Sequence, residues 1–318
     1  MKTEDHAVAA GHSLDPARWQ EAFECLMGRI AGRFKRVEPR RRVRRLVLGL
    51  LSDLPRKNCW TIAEWAGEST PNGMQHLLGR AKWDADAVGD DVRGYVVEHL
   101  HDDQAVPVVD ESGDVKKGTG TVGVQRQYTG TAGRIENTQV AVYLIYAGQR
   151  GHAAVDRELY VPRSWTSDPE RCRTAGLAGE TAFATKPELT ELVRVAGSRL
   201  RVEEFFQSGK GLAGLDEHQV RRYASWLRWV TLAMLAHAFR TVVRRTNTSA
   251  ALHRTASRRS PVTRSSACSS PSSSSPSTPL PTDSPGPPGD AAARPDPRPA
   301  TTSDKTPKHE DHDRQLEY

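Results

Sequence analysis

Apolar residues recur at helical spacing through the first hundred positions. Trp19, Phe23, Leu26, Met27 and Ile30 form one stripe. Val43, Leu46, Val47, Leu50, Leu51 and Leu54 form a second, which Pro55 ends. Thr70 followed by Pro71 has the form of an N-cap and a first-turn proline leading into Gln75 to Leu78, and Asp84 opens a helix through Val88, Val92, Tyr95, Val96 and Leu100. At Ala105 the period changes. Ala105 to Asp110 is a short apolar run ending in a carboxylate, as buried strands end, and Glu111 to Lys117 reads as polar loop. Val122 to Tyr128 and Thr138 to Tyr146 are β-branched and aromatic segments joined by Thr129 to Gly133, a hairpin signal, and Val155 to Val161 adds a further strand. Helical patterns return at Pro187 to Val193, at Arg199 to Phe206, and from about Asp216 to Arg245, where Trp226, Trp229, Leu232, Leu235 and Phe239 lie. Strands flanked by helices predict an α/β or α+β core, and α+β is the class expected.

Composition changes this picture at one end. From Thr246 to Tyr318 the chain carries 12 of its 20 prolines and 14 serines, with no Trp or Phe. Such a segment cannot bury enough apolar surface to offset its ordering entropy and is expected to be disordered. The organisation predicted is a flexible stretch over 1–15, a helical region over 16–102, a core over 103–245 and the Ser/Pro-rich tail over 246–318.

The net charge of +6 permits a polyanionic partner. The densest basic run lies between the first two helices: Arg33, Lys35, Arg36, Arg40, Arg41, Arg42, Arg44 and Arg45. It is either a solvated helix face or a phosphate-binding one, since Arg grips phosphate oxygens bidentately. Four cysteines without a CxxC pair give neither a zinc knuckle nor a disulfide framework, and point to a reducing compartment. The N-terminus lacks a secretory signal, and no apolar stretch approaches the roughly 20 residues of a bilayer span, so a cytoplasmic location is expected. The GxGxxG spacing of Gly118, Gly120 and Gly123 precedes a strand rather than a helix, which excludes a dinucleotide fingerprint.

Two further groups carry candidate chemistry. Asp110 sits where a strand hands a carboxylate to a sheet edge, though a turn Asp would look the same. Arg199 and Glu203, four apart, share one helix face, with Lys210 two turns beyond, as would a solvated salt-bridged helix. Together with Val109-Asp110-Glu-Ser-Gly, Lys116-Lys-Gly118, the run Gly123 to Gly133 and Glu136-Asn-Thr-Gln139, they resemble the insertion-sequence transposases of the DDE, RNase H-like superfamily, specifically insertion-sequence family 701. Arg56-Lys-Asn58, Ala63-Glu64, Thr70-Pro71 and Trp83-Asp84 resemble the helical N-terminal part of those proteins. Glu203 to Gln207, Lys210-Gly211, Gly214 to Asp216 and Val220-Arg221 resemble their last catalytic block. The resemblance covers most of residues 15–245.

That resemblance implies an RNase H-like sheet on which three acids hold two Mg²⁺ ions for attack on a phosphodiester, the hard cation calling for carboxylates. Asp110 would be the first acid and Glu203 the last, both metal ligands, with Arg199 and Lys210 on DNA phosphates and Arg41, Arg42 and Arg44 adding DNA contacts. The partner implied is DNA at inverted-repeat ends, with a second copy or an intact transposase as a further partner, and the location nucleoid-associated. Two departures stand out. Ala196 occupies the family's Tyr position. Only 15 residues separate Pro187 from Glu203, where the family places a strand bearing the second Asp and further strands. Glu188 and Glu191 are the nearest substitutes in sequence. The expectation is a transposase with a truncated core and impaired catalysis, or else a non-enzymatic DNA-binding remnant.

Overall fold

The first helices follow from the stripes. Helix α1 (Pro16–Ala31) starts where Asp15 accepts a hydrogen bond from Arg18 N, with Pro16 in the first turn, and it buries Trp19, Phe23, Leu26 and Ile30. Helix α2 (Val37–Leu51) buries Val43 and Leu46 to Leu51 and ends at Ser52, before Pro55. Helix α3 (Cys59–Trp65) has no stripe long enough to announce it. Its signal is the capping box of Asn58 and Thr61, which satisfies amide groups at the helix start reciprocally. Helix α4 (Asn72–Gly79) begins one residue later than the Thr70 signal suggests, with Pro71 at the N-cap and no side-chain cap. Helix α5 (Ala85–Leu100) begins at Asp84, which accepts from Asp86 N and Ala87 N.

This computed structural model describes Val8, the backbone of residues 15–178, 181–191 and 200–257, and the side chains of 15–178, 181–189 and 205–247. The expected flexible start (1–15, Val8 and Asp15 apart) and the tail beyond Ser257 lie outside the described residues.

Strand β1 (Val106–Val115) pairs antiparallel with β3 (Arg134–Gly148). On the other edge of β3 lie β2 (Gln125–Thr129) and then β4 (Gly151–Leu159), also antiparallel. The architecture is α+β, as the sequence predicts, and the hairpin at 129–133 closes with Gly133 at φ +65° donating to Thr129 O. Several boundaries differ from the expectation. β1 continues five residues past Asp110, through the segment expected as loop, and β4 starts before Val155. Helices α6 (Arg163–Thr166), α7 (Pro169–Thr174), α8 (Lys186–Glu191) and α9 (Leu200–Ala213) lead to α10 (Tyr223–Ser257), which runs past the expected Thr246 boundary.

Helices and sheet share one core. Phe239 of α10 meets Trp19 at 5.1 Å and Phe23 at 5.5 Å between ring centres, while Leu232, Leu235 and Val242 are buried along the same helix. Arg157 of β4 reaches Asp86 of α5 at 3.0 Å. The N-terminal helices and the sheet lie in one compact unit. Among the described residues no helix is long and apolar enough to cross a membrane.

Candidate functional site

Asp110 lies in the middle of β1, directly opposite Tyr143 of β3, and not at a strand end. The misreading has a physical cause. Glu111, Gly113 and Asp114 carry loop chemistry, but Gly113 is required because a Cβ there would run into Thr129 Oγ1, and Asp114 is paired in the interior. By the two-residue period of a strand, Val108, Asp110, Ser112 and Asp114 share one face, and Tyr143 joins it across the ladder. Helix α9 covers that face: the Tyr143 ring lies 5.5 Å from Phe206 and 6.3 Å from Phe205. Asp110 Oδ1 accepts from Glu111 N at 2.8 Å. Glu111 points the other way and accepts from Lys186 of α8 at 2.9 Å.

Lys210 anchors α9 to β1. Its ammonium lies 3.2 Å from Asp114 and donates to Gly113 O at 3.3 Å. Around the pair are Lys116, which donates to the carbonyls of Asp216 and His218, and the fully buried His218, whose Nε2 faces Asp114 at 3.5 Å. Burial alone would push the Asp114 carboxyl up, but His218 and the charges of Lys116 and Lys210 hold it below the ordinary range. Burial, with Lys116 beside it, pushes the His218 imidazole down to about 4. Burial and the neighbouring Asp114 raise Asp216. The same end of α9 is also held by Lys57, which donates to Leu212 O near the helix C-terminus, while its own backbone N–H reaches Glu217. Burial lowers its ammonium to about 8. None of Asp114, His218 and Lys57 stood out as chemistry in the sequence. The two-residue spacing from Asp110 was the available signal for Asp114. The partners come from about a hundred residues away, beyond any local pattern.

Glu203 belongs to the backbone of α9, two residues before Phe205, and its side chain lies outside the described residues, as do Arg199 and Ala196 altogether. Arg41, Arg42 and Arg44 sit on α2, away from this cluster in sequence and element. Arg44 is held by Glu24 at 2.8 Å and lies 4.9 Å over the Phe23 ring, Arg42 pairs with Glu38 one turn back, and Arg41 is exposed. The rest of the run is largely matched as well. Arg33 makes a bidentate pair with Asp91, Arg40 donates to Phe34 O, and Arg45 meets Glu68. Much of the run is therefore a neutralised inter-helix seam.

The geometry joins a strand carboxylate, a covering helix with a terminal acid and a basic helical region in one unit. Compared with known families, residues 29–284 match the profile described as DDE superfamily endonuclease. The chain belongs to that superfamily. It is also 32% identical, over 150 residues, to the probable transposase for insertion sequence element IS701 of Microchaete diplosiphon, a match covering 46% of this chain and 36% of the relative. The chain thus spans about a third of the length of that curated relative, and the resemblance to insertion-sequence family 701 is borne out. The superfamily match runs past residue 245, further than the motifs alone indicated. No solved structure matches the chain.

DDE endonucleases generally use divalent metal ions, so the carboxylates here can be tested for fit. Among the described residues no three His, Cys, Asp or Glu side chains converge as a metal site. Asp114, the next carboxylate on the face of Asp110, stands four residues along β1, about 13 Å by strand rise, and is committed to Lys210 and His218. Glu111 belongs to the opposite face. The described carboxylates do not fit a two-metal centre.

Proposed function

We propose that this chain is an insertion-sequence transposase scaffold that binds the inverted-repeat ends of its element, with a catalytic centre reduced to Asp110 and Glu203 and impaired for Mg²⁺-dependent cleavage and strand transfer. Membership of the DDE superfamily and the likeness to a probable transposase support the DNA partner. The observation that carries the impairment is that no three His, Cys, Asp or Glu side chains converge among the described residues, while Asp114, the next carboxylate on the face of Asp110, is held in an ion pair with Lys210. The placement of α9 supports Glu203 as the companion acid. Lys210 lies beside Asp114, so stepping back two helical turns to Glu203, about 10 Å, parallels stepping back four strand residues to Asp110, about 13 Å. Two acids so placed can hold one cation but cannot stabilise both attacking and leaving oxygens. In this reading the DNA roles of Arg199 and Lys210 divide: Arg199 remains a phosphate contact, and Lys210 serves first to set α9 against β1.

The test uses labelled terminal-repeat DNA with Mg²⁺ or Mn²⁺. Specific binding without 3′-end cleavage is expected. Robust cleavage abolished by Asp110→Ala would overturn the impairment, and absence of binding would overturn the DNA assignment.

The basic run supplies a separate prediction. Arg41→Gln is expected to flatten the dependence of log affinity on log salt by about 0.9, the effect of one lost phosphate contact on duplex DNA. Arg44→Gln should leave that slope nearly unchanged and instead lower folding stability by about 1–2 kcal/mol, through the lost contact with Phe23 and Glu24. Salt titrations and urea melts of both variants check the pair. A slope that falls only for Arg44→Gln would reverse the assignment.

A further inference from the structure

The β2–β3 hairpin carries an apolar pair that the fold leaves uncovered. Tyr128 of β2 is 62% exposed and Ile135 of β3 is 59% exposed, and the two stand opposite each other in the ladder, next to the turn. Opposed side chains on one face of a sheet lie close enough for ring and aliphatic chain to form a single surface. Apolar residues exposed singly are ordinary, but a cross-strand pair at a hairpin tip is a patch. By the two-residue period Arg126 and Asn137 share its face, and so, further along β3, does Tyr143, the ladder partner of Asp110. The pair therefore stands on the Asp110 face of the sheet, about 27 Å from Tyr143 by strand rise. Between them the segment after β1 crosses that face: Asn137 Nδ2 donates to Lys116 O and to Gly118 O, each at 2.7 Å, and Gln139 Nε2 donates to Val122 O at 2.7 Å. The exposed Lys117 is thereby set beside Asn137. Charge at this end is one-sided. Between Asp114 and Asp156 the sequence has a single acid, Glu136, against Lys116, Lys117, Arg126, Arg134 and Arg150. Arg134 takes up Glu136 at 2.7 Å, while Arg126 is exposed. Helix α6, which meets β2 where Ser164 donates to Gln125, adds Arg163 and no acid, and the next acid along the chain, Asp168, caps α7.

We infer that Tyr128 and Ile135 form a stacking platform for an unpaired base of a DNA strand, with Arg126 and Lys117 on the flanking phosphates. The inference rests on the DNA-binding reading above and deepens it by naming where on the Asp110 face the strand is held. An apolar pair alone would suit a protein partner equally well. The cations on the same face decide for a polyanion. A second copy of this chain is disfavoured by the same charges, because a two-fold contact sets a patch against itself and would bring Arg126 and Lys117 of both copies together. An aromatic face suits a base because every base has a π-face to lay on it, so binding here is tolerant of sequence. The span from Tyr143 to the platform corresponds to about eight nucleotide steps of 3.4 Å, so a single strand can lie along the face and reach both.

The test uses the full chain with a fluorescein-labelled single strand of mixed sequence and the corresponding duplex, titrated at several salt concentrations. Tyr128→Ala is expected to weaken single-strand binding roughly tenfold or more, the effect of one lost base–aromatic stack. Its salt slope should stay that of wild type, since no charge is removed, and its loss on duplex should be smaller, because paired bases are not free to stack. Tyr128→Phe keeps the ring and should bind as wild type does. Arg126→Gln should do the reverse of Tyr128→Ala and lower the single-strand slope by about 0.7. Val97→Ala, which trims an exposed apolar side chain on α5, should change nothing. All four side chains are exposed, so the variants should share the urea midpoint of wild type. Equal single-strand affinity in Tyr128→Ala and wild type would overturn the platform and leave the DNA-binding reading standing. A loss in Tyr128→Phe as large as in Tyr128→Ala would show that the hydroxyl and not the ring is used, and would overturn stacking. A change in oligomeric state of Tyr128→Ala by sedimentation, with DNA affinity unchanged, would show the face to be an interface between copies. No wild-type binding to either DNA would overturn both readings.

Discussion

Asp114→Ala is expected to cost roughly 3–5 kcal/mol of folding stability, the usual penalty for breaking a buried ion pair from one side. The carboxylate is the common partner of Lys210 and His218 and the nearest countercharge to Lys116, and its removal leaves two ammonium groups in surroundings that have displaced most of their water. Against a typical total of about 5–15 kcal/mol, that is a large fraction. Lys210→Met should cost less, because Asp114 keeps Lys116 and His218 and the methionine retains the apolar stem. The double variant should therefore be more stable than the sum of the singles implies, a coupling that denaturant melts of the four proteins measure directly. Because this pair joins α9 to β1, Asp114→Ala should also loosen whatever Asp110 and Glu203 perform together. A loss below about 1 kcal/mol would show that the pair is solvated and does not fix the helix.

The helices were legible wherever an apolar stripe ran for several turns. Trp19 to Ile30 and Val43 to Leu51 are buried as their spacing foretold, and Asp84 caps the helix it was expected to open. What escaped was decided by partners remote in sequence. β1 looked finished at Asp110 because the four residues that follow, Glu111 to Asp114, are polar or glycine. They extend the strand because β3 offers a continuous ladder and because Lys210 and His218 neutralise Asp114. Helix α3 escaped for the opposite reason: it is too short for periodicity, and only the Asn58 and Thr61 spacing marks its start. In the basic run, the pairing of Arg42 with Glu38 one turn earlier could be read locally. The pairings of Arg33, Arg44 and Arg45 with Asp91, Glu24 and Glu68 on other elements could not. Of the region around the candidate site, the strand that carries Asp110 was legible from pattern, though not its end. The packing of Tyr143 against Phe205 and Phe206, which brings α9 over that strand, becomes visible only once the sheet is assembled.

Acidification from about pH 7 to about pH 4.5 is expected to destabilise the chain strongly, through His218 and His237. Both imidazoles are buried and neutral in the folded state, held down to about 4 and about 3 against an ordinary value of 6.5. Below that ordinary value the unfolded chain binds protons that the folded chain refuses, so stability falls with pH from 6.5 until each folded group itself titrates. At about 1.4 kcal/mol per unit for each group, the two together amount to several kcal/mol. Asp216 and Glu158 act in the opposite direction, because burial raises their carboxyls and the folded state takes up their protons first. Their windows open near the ordinary carboxylate range, at the acid end of the interval, so the histidines dominate above it. Asp114, held below its ordinary value, adds its own loss only at still lower pH. Urea midpoints followed across this range should therefore fall steadily. His237→Gln, which can keep the bond to Ser208 but cannot take up a proton, should flatten the lower part of the curve. A midpoint independent of pH over the interval would show that these imidazoles are reached by water and carry no linkage to folding.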